Sequence, residues 1–480
     1  MTVRGRIATG VAMGALSLTG LAQSRPNIIF FMVDDMGIGD LGTYGQRYIP
    51  TPALDSLAQA GMTFTQAYAG CSVSAPSRGS LLTGRHTGHA FIRGNKDTAN
   101  ADGHTYDHPL ADDEVTIAEM LRDAGYDTAC IGKWGLGGPG TEGAPTRQGF
   151  DYFFGYLGQL NAHRHRPEFL HEGETLIPLD GKTYAQDLLM DHAIDFLRDR
   201  KRRERPFFLY FTPALPHADL DAEEEDRKPF EGAFCERPFE GNWYRAEAQP
   251  KATYAGMIRR IDRDVSRMIE VLQEEGLAEE TLFIFTSDNG PHEEGGHDPY
   301  FFDGNGPYRG LKRALYEGGV RVPFIVVWPG VIKPGSTSYH MLAFWDVMPT
   351  LRELSGAAPQ EQSDGISFAP TLFGRGEQVE HPYLYWEFHE EGGRQAVRMG
   401  QWKLIRQQVR DASQTYEELF NLSADPGELR DVSTDYPEVV RQLGELIDRS
   451  HRPSKDFPLL PQEDLCKMVF RRKSTAFSAG

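Results

Sequence analysis

Short apolar runs rich in β-branched and aromatic residues alternate with amphipathic stretches over the first three quarters of the chain. Asn27 to Val33, Asp127 to Ile131, Pro206 to Phe211, Leu282 to Thr286 and Pro323 to Trp328 are the clearest strand candidates. They are mostly apolar rather than alternating, the pattern of strands buried on both faces. Between them, Thr116 to Ala124, Tyr184 to Arg198 and Tyr254 to Gln273 carry apolar residues at helical spacing. In the last these are Met257, Ile261, Val265, Met268, Ile269 and Leu272. The alternation predicts an α/β fold, a large, central, mostly parallel sheet sandwiched by helices. From about His381 the texture changes: Tyr383 to Phe388 and Trp402 to Ile405 read as short strands, and a helix follows near Pro437 to Arg449. The predicted division is a catalytic α/β domain over residues 23–375 and a smaller C-terminal α+β domain over 376–480. Asp219 to Pro250 is polar, rich in proline and acid, and predicts a long surface excursion.

The N-terminus has a different character. Arg4 and Arg6 precede a short apolar run, Ile7 to Leu21, and Gly20-Leu21-Ala22 offers small residues for cleavage. This predicts a signal peptide over residues 1–22 and an exported protein, periplasmic or extracellular. No later stretch has the length and apolarity of a membrane span, so no stable membrane insertion is expected. Lys and Arg total 50 against 69 Asp and Glu, a formal net charge of -19. That field repels nucleic acid, which is not expected as a partner. It also repels any other polyanion, so a cleft for one needs its own Arg and Lys. Cys71, Cys130, Cys235 and Cys466 are scattered and form neither a disulfide framework nor a zinc pattern; Cys235 and Cys466 could be bridged in an oxidising compartment.

Polar residues fall at the ends of the predicted strands. NIIFFMV ends in Asp34-Asp35, and TLFIFTS in Asp288-Asn289. Each pair alone would serve as a turn or helix cap. Two pairs at strand ends of a parallel sheet converge on one crevice. Three carboxylates and an amide oxygen there need a cation, and a set without His or Cys favours Ca²⁺ over Mg²⁺. The run Ser74-Ala75-Pro76-Ser77-Arg78 reads as a helix entry, where a Ser can act as a nucleophile beside N-terminal amides that stabilise an anion. Arg78 lies about one turn on and reaches the same anion. Lys133 and His217 follow other strands, and Lys312 lies in a Gly-rich stretch with Arg309 and Arg313.

Ser74 to Arg78, continued by Gly-Ser-Leu-Leu-Thr-Gly-Arg, resembles the (Cys or Ser)-x-Pro-Ser-Arg signature of the type I sulfatases, in the alkaline phosphatase-like superfamily. Lys133 in GKWGLG resembles their second signature, and both acid pairs, His217 and Lys312 fall in the family's order. The resemblance spans nearly the whole chain after the signal. It implies a sulfuric ester hydrolase acting on sulfated carbohydrate, in which Ser74 is oxidised to Cα-formylglycine, hydrated, and used as the nucleophile. A Ser precursor resembles the bacterial branch served by a radical S-adenosylmethionine maturase. By the same resemblance Asp34, Asp35, Ser74, Asp288 and Asn289 hold Ca²⁺, and Arg78, Lys133 and Lys312 neutralise the sulfuryl oxygens. His217 protonates the leaving oxygen, and Asp35 is a candidate base. Many members carry His two positions after the signature Lys; this chain has Gly135, and His292 is a candidate substitute. His163 and His165 in NAHRHR resemble a recognition loop of glycan sulfatases and are expected to contact substrate. The alternatives are a phosphomonoesterase or phosphodiesterase on the same scaffold, and an unmodified sulfated-glycan-binding pseudo-enzyme.

Overall fold

The computed structural model describes residues 25–199, 205–359 and 362–463. The predicted signal segment and Cys466 lie outside the described residues. Among the described residues the main sheet has 10 strands. Five adjacent strands are parallel: Thr281–Ser287, Asn27–Val33, Phe207–Thr212, Asp127–Lys133 and Tyr152–Tyr156. Asn27–Val33 lies between Thr281–Ser287 and Phe207–Thr212, and every residue of all three strands is buried. That double burial is why these segments read as unbroken apolar runs. The predicted strand at Pro323 to Trp328 forms as Phe324–Val327 but pairs antiparallel, so the sheet is mixed toward its margins.

Alternate side chains of these strands feed two cores. Ile29, Phe31 and Val33 pack with Ala193, Met257, Ile261, Val265 and Met268, on the face covered by the helices Ala185–Arg198 and Pro250–Glu274. Ile28, Phe30 and Met32 pack with Leu81, Leu121 and Leu351 on the opposite face. The helix Ile117–Asp123 starts where the sequence places it, because Thr116 and Glu119 close a reciprocal capping box.

The C-terminal part is a four-stranded antiparallel sheet in sequence order, Leu384–Phe388, Arg394–Met399, Trp402–Gln407 and Tyr416–Asn421, with the helix Pro437–Ser450. Its period-two alternation divides the burial. Leu384, Trp386 and Phe388 pack against Tyr68, Val73 and Trp345 of the large domain, whereas Tyr385, Val397 and Leu404 face Leu443 and Ile447 of the helix. At the junction, Lys403 is fully buried between Glu317, at 2.9 Å, and Glu428, at 3.2 Å. Replacing it, Lys403→Met, removes the charge that both carboxylates share. The expected cost is about 3 kcal/mol, because an unpaired buried carboxylate is worse than no ion pair. It would be read as a lower thermal midpoint; an unshifted melt at pH 8 would show that Lys403 does not hold this junction.

Candidate active site at the carboxyl edge of the sheet

The helix Ser74–Thr83 begins under the carboxyl ends of the parallel strands, and Ser74 is its first residue, buried to 2% exposure. Ser74 Oγ donates to Asp34 Oδ1 at 2.9 Å and accepts from Lys133 Nζ at 3.2 Å. One turn on, Arg78 is completely buried: Nε and Nη2 donate to Asp288 Oδ2 at 3.2 and 2.9 Å, and Nη1 donates to the Lys133 carbonyl at 2.8 Å. Ser77 Oγ locks the helix to the neighbouring strand end by donating to the Asp288 carbonyl at 2.5 Å. Four strand or helix ends thereby meet at one point.

Carboxylate oxygens of Asp34, Asp35 and Asp288 lie within 4.8 Å of one another, all buried. Burial alone would raise the Asp34 carboxyl, but Lys133, at 2.6 Å, and Arg78 outweigh it and hold it below the usual carboxylate range. Asp288 goes the other way, pushed up to about 7 by burial and by the neighbouring Asp34 charge. Asp35 adopts a left-handed backbone, φ 65°, uncommon outside glycine and a sign of local constraint at a functional position. Asn289 completes the set. Its Nδ2 donates to Asp35 Oδ1 at 2.7 Å, while its Oδ1 is buried and without a hydrogen-bond donor. An acceptor left bare among three acids fits a hard cation, which takes carboxylate and amide oxygens alike.

On the other side of Asp35, Lys312 Nζ donates to Asp35 Oδ2 at 2.7 Å, to His217 Nε2 at 3.0 Å and to Glu294 Oε2 at 3.1 Å. Burial disfavours this ammonium, but Asp35 and Glu294 overcome that and keep it charged. His217 Nδ1 donates to the Ala218 carbonyl, so Nε2 carries the lone pair that faces Lys312. Burial, then the Lys312 charge, lowers the His217 ring far below the ordinary histidine value, which leaves it neutral.

Asp34, Asp35, Ser74, Arg78, Lys133, His217, Asp288, Asn289 and Lys312 are thus brought together. Other expectations divide. His163 lies beside the site, its ring 4.3 Å from that of His217, and Nδ1 donates to the Ala218 carbonyl at 3.0 Å. His165 does not reach substrate: it is 3% exposed and its Nε2 donates to the His217 carbonyl at 2.8 Å, so it supports the loop from beneath. His292 is likewise corrected. It is fully buried, Nε2 donates to the Pro216 carbonyl at 3.0 Å and Nδ1 accepts from the Glu294 amide at 3.0 Å, which leaves no ring nitrogen for a ligand. The space at Gly135 is filled instead by Gln159, whose Cγ lies 3.2 Å from where a Cβ would stand. Gln159 Nε2 donates to Asp107 at 2.7 Å and to Asn95 at 3.1 Å. Glu294, which bridges Lys312 and Arg313, carried no signal in the sequence beyond its place in an acidic loop.

A parallel sheet that gathers oxygen ligands and three buried cations around a helix-terminal hydroxyl defines a hydrolase for a tetrahedral oxyanion ester. The chain belongs to the sulfatase family: the family model described as Sulfatase matches residues 26–357, and one described as N-sulphoglucosamine sulphohydrolase, C-terminal, matches residues 308–452. It is 30% identical to the N-acetylgalactosamine-6-sulfatase of Canis lupus familiaris over 94% of this chain and 91% of that one. With Arylsulfatase A of Homo sapiens it shares 32% identity over 89% and 88% of the two chains. The solved structure of Ps i-CgsB, known also in complex with k-i-k-neocarrahexaose, superposes with a TM-score of 0.76 at 27% identity, over 89% of this chain and 93% of that one. The chain is a type I sulfatase of the alkaline phosphatase-like superfamily, an enzyme that hydrolyses sulfate esters.

The inward position of His292 has a measurable consequence. His292→Ala orphans the Pro216 carbonyl and the Glu294 amide together, an expected loss of about 2 kcal/mol of stability. Because both partners adjoin His217 and Lys312, the expected kinetic effect is on kcat, with the KM for an aryl sulfate within about twofold. A large rise in KM with an unchanged melt would instead place His292 on the substrate.

Proposed function

We propose that the enzyme removes sulfate from sulfated carbohydrate with a formylglycine made from Ser74, and with Ca²⁺ held by Asp34, Asp35, Asp288, Asn289 and the modified Ser74. One observation carries this: Ser74 Oγ lies within hydrogen-bond reach of both Asp34 and Lys133, beside the bare Asn289 oxygen. When present, hydrated formylglycine and Ca²⁺ would supply the attacking oxygen and the local positive charge. The remaining work falls to side chains. Arg78, Lys133 and Lys312 place fixed positive charge where negative charge develops on the sulfuryl oxygens. His217 takes a proton on Nε2 from the Lys312 ammonium and relays it to the leaving sugar oxygen. The carbohydrate substrate is supported by the relatives named N-acetylgalactosamine-6-sulfatase and by the Ps i-CgsB structure in complex with k-i-k-neocarrahexaose. Modification would be carried out by a radical S-adenosylmethionine maturase, and the signal-like pattern of residues 1–22 supports export to the periplasm or outside the cell. No helix among the described residues is long and apolar enough to cross a membrane.

A phosphoesterase with two metal ions is the rival. Asp35, His217 and Glu294 form a second possible ligand group, but the Lys312 ammonium sits among all three. A fixed cation in that place favours one metal ion and sulfuryl transfer. Parallel assays on matched aryl sulfate and aryl phosphate separate the two.

The deciding measurement is the mass of the Ser74 peptide from native host material. The aldehyde lacks one H₂ relative to serine, and an active preparation containing only unmodified serine would sink the proposal. Separately, Lys312→Ala should lower kcat for an aryl sulfate by about a hundredfold or more, with the fold intact, because it removes charge at the sulfate rather than core volume. Near-normal turnover in a folded variant would remove Lys312 from the machinery.

A further inference from the structure

The excursion 219–250 ends close to the site, and its tip carries Trp243, at 54% exposure the one exposed tryptophan of six. The tip is fixed rather than loose. Phe239 and Glu247 exchange backbone hydrogen bonds of 2.8 and 2.9 Å, and the Asn242 amide donates to the Tyr244 carbonyl at 3.0 Å. Trp243 stands edge-on to His163, ring centres 4.7 Å apart and planes at 90°, and Tyr244 lies 5.6 Å from the same imidazole. His163 in turn adjoins His217 at 4.3 Å. A continuous row of rings therefore runs from the group beside the leaving oxygen to solvent. Burial, followed by Lys312 and Lys133, brings His163 down to about 3, so this row is uncharged where it meets the site.

Charge flanks the row. Arg164 and Arg245 both pair with the buried Asp219, whose single carboxylate leaves one positive charge uncompensated. The Arg164 guanidinium also lies 5.6 Å from the Trp243 ring centre. An exposed aromatic face next to a surplus cation suits a sugar ring, whose C–H face is apolar and whose substituents here are anionic. An exposed tryptophan held upright by a hairpin has no core to serve.

We propose that Trp243, backed by His163 and Tyr244, is the platform on which the pyranose ring bearing the scissile sulfate packs, with Arg164 and Arg245 attracting an anionic substituent of the saccharide. This rests on the carbohydrate sulfatase function proposed above and names the residue that holds the sugar ring over the site. Trp243 contacts the sugar and leaves the sulfuryl group to the buried cations.

Two measurements test it. In the first, Trp243→Ala and Trp243→Phe are compared with the parent on N-acetylgalactosamine 6-sulfate. The alanine variant should lose about tenfold in kcat/KM on the sugar, mainly through KM and with kcat within about twofold, and phenylalanine should restore most of the loss. In the second, calorimetry follows N-acetylgalactosamine 6-sulfate and sulfated neocarrahexaose binding to Ser74→Ala with and without Trp243→Ala, so no chemistry is needed. A weakening of about fivefold or more on loss of the indole is expected. Equal affinities with and without Trp243, a loss on the sugar carried by kcat rather than KM, or failure of both saccharides to bind would overturn the platform. Failure of the aldehyde-bearing parent to hydrolyse any sulfate ester counts against the proposed function instead, and the calorimetric comparison still decides the platform.

Discussion

Crowding three buried carboxylates at the end of a sheet is the constraint that the rest of this structure answers to. Asp34, Asp35 and Asp288 have no exposure to water, and their oxygens lie within 4.8 Å of one another. Such a cluster persists only if cations share the space. The fold supplies three buried ones, each from a different element: Arg78 from a helix, Lys133 from a strand end, Lys312 from a loop. These formally cancel the three acids, so a divalent ion at the Asn289 oxygen would leave an excess of positive charge. This is how a chain with a net charge of -19 can still draw in an anionic ester. Arg78 shows how tightly the solution is bound to the fold: one guanidinium grips Asp288 and the Lys133 carbonyl, tying two strands to the helix that carries Ser74.

The parallel strands were legible because they are buried on both faces, and their ends were legible for a related reason. Once a sheet is known to be parallel, every residue that follows a strand falls on the same edge. Asp34, Asp35, Lys133, Asp288 and Asn289 could therefore be grouped without knowing strand order. The loops were not legible in this way. Whether a histidine points inward or outward depends on which backbone groups it must satisfy, and those come from elsewhere in the chain. His292 and His165 turn inward to serve the carbonyls of Pro216 and His217, whereas His163, two residues from His165, faces the site. Nor could the sequence show that Gln159 occupies the space over Gly135, since that depends on the close approach of a separate strand and helix. The strand Arg394–Met399 was hidden for another reason: its Gln395 and Arg398 are buried by pairing with Tyr385 and Tyr68, so it lacks the apolar signature of a strand.

The same accounting clarifies the Lys312–His217 pair. His217 Nδ1 is committed to the Ala218 carbonyl, so any proton it passes to a leaving oxygen must be carried on Nε2. Burial, then the Lys312 charge, keeps that nitrogen unprotonated in the resting site, and the ammonium that points at it belongs to Lys312. Within the proposed mechanism the proton thus originates on Lys312 and reaches the leaving oxygen directly or through His217. Glu294 gains a role from this, because with Asp35 it keeps Lys312 charged and its donors directed. Within the proposed mechanism, the Ala218 carbonyl on Nδ1 and the lysine opposite make the pair, rather than the histidine alone, the acid.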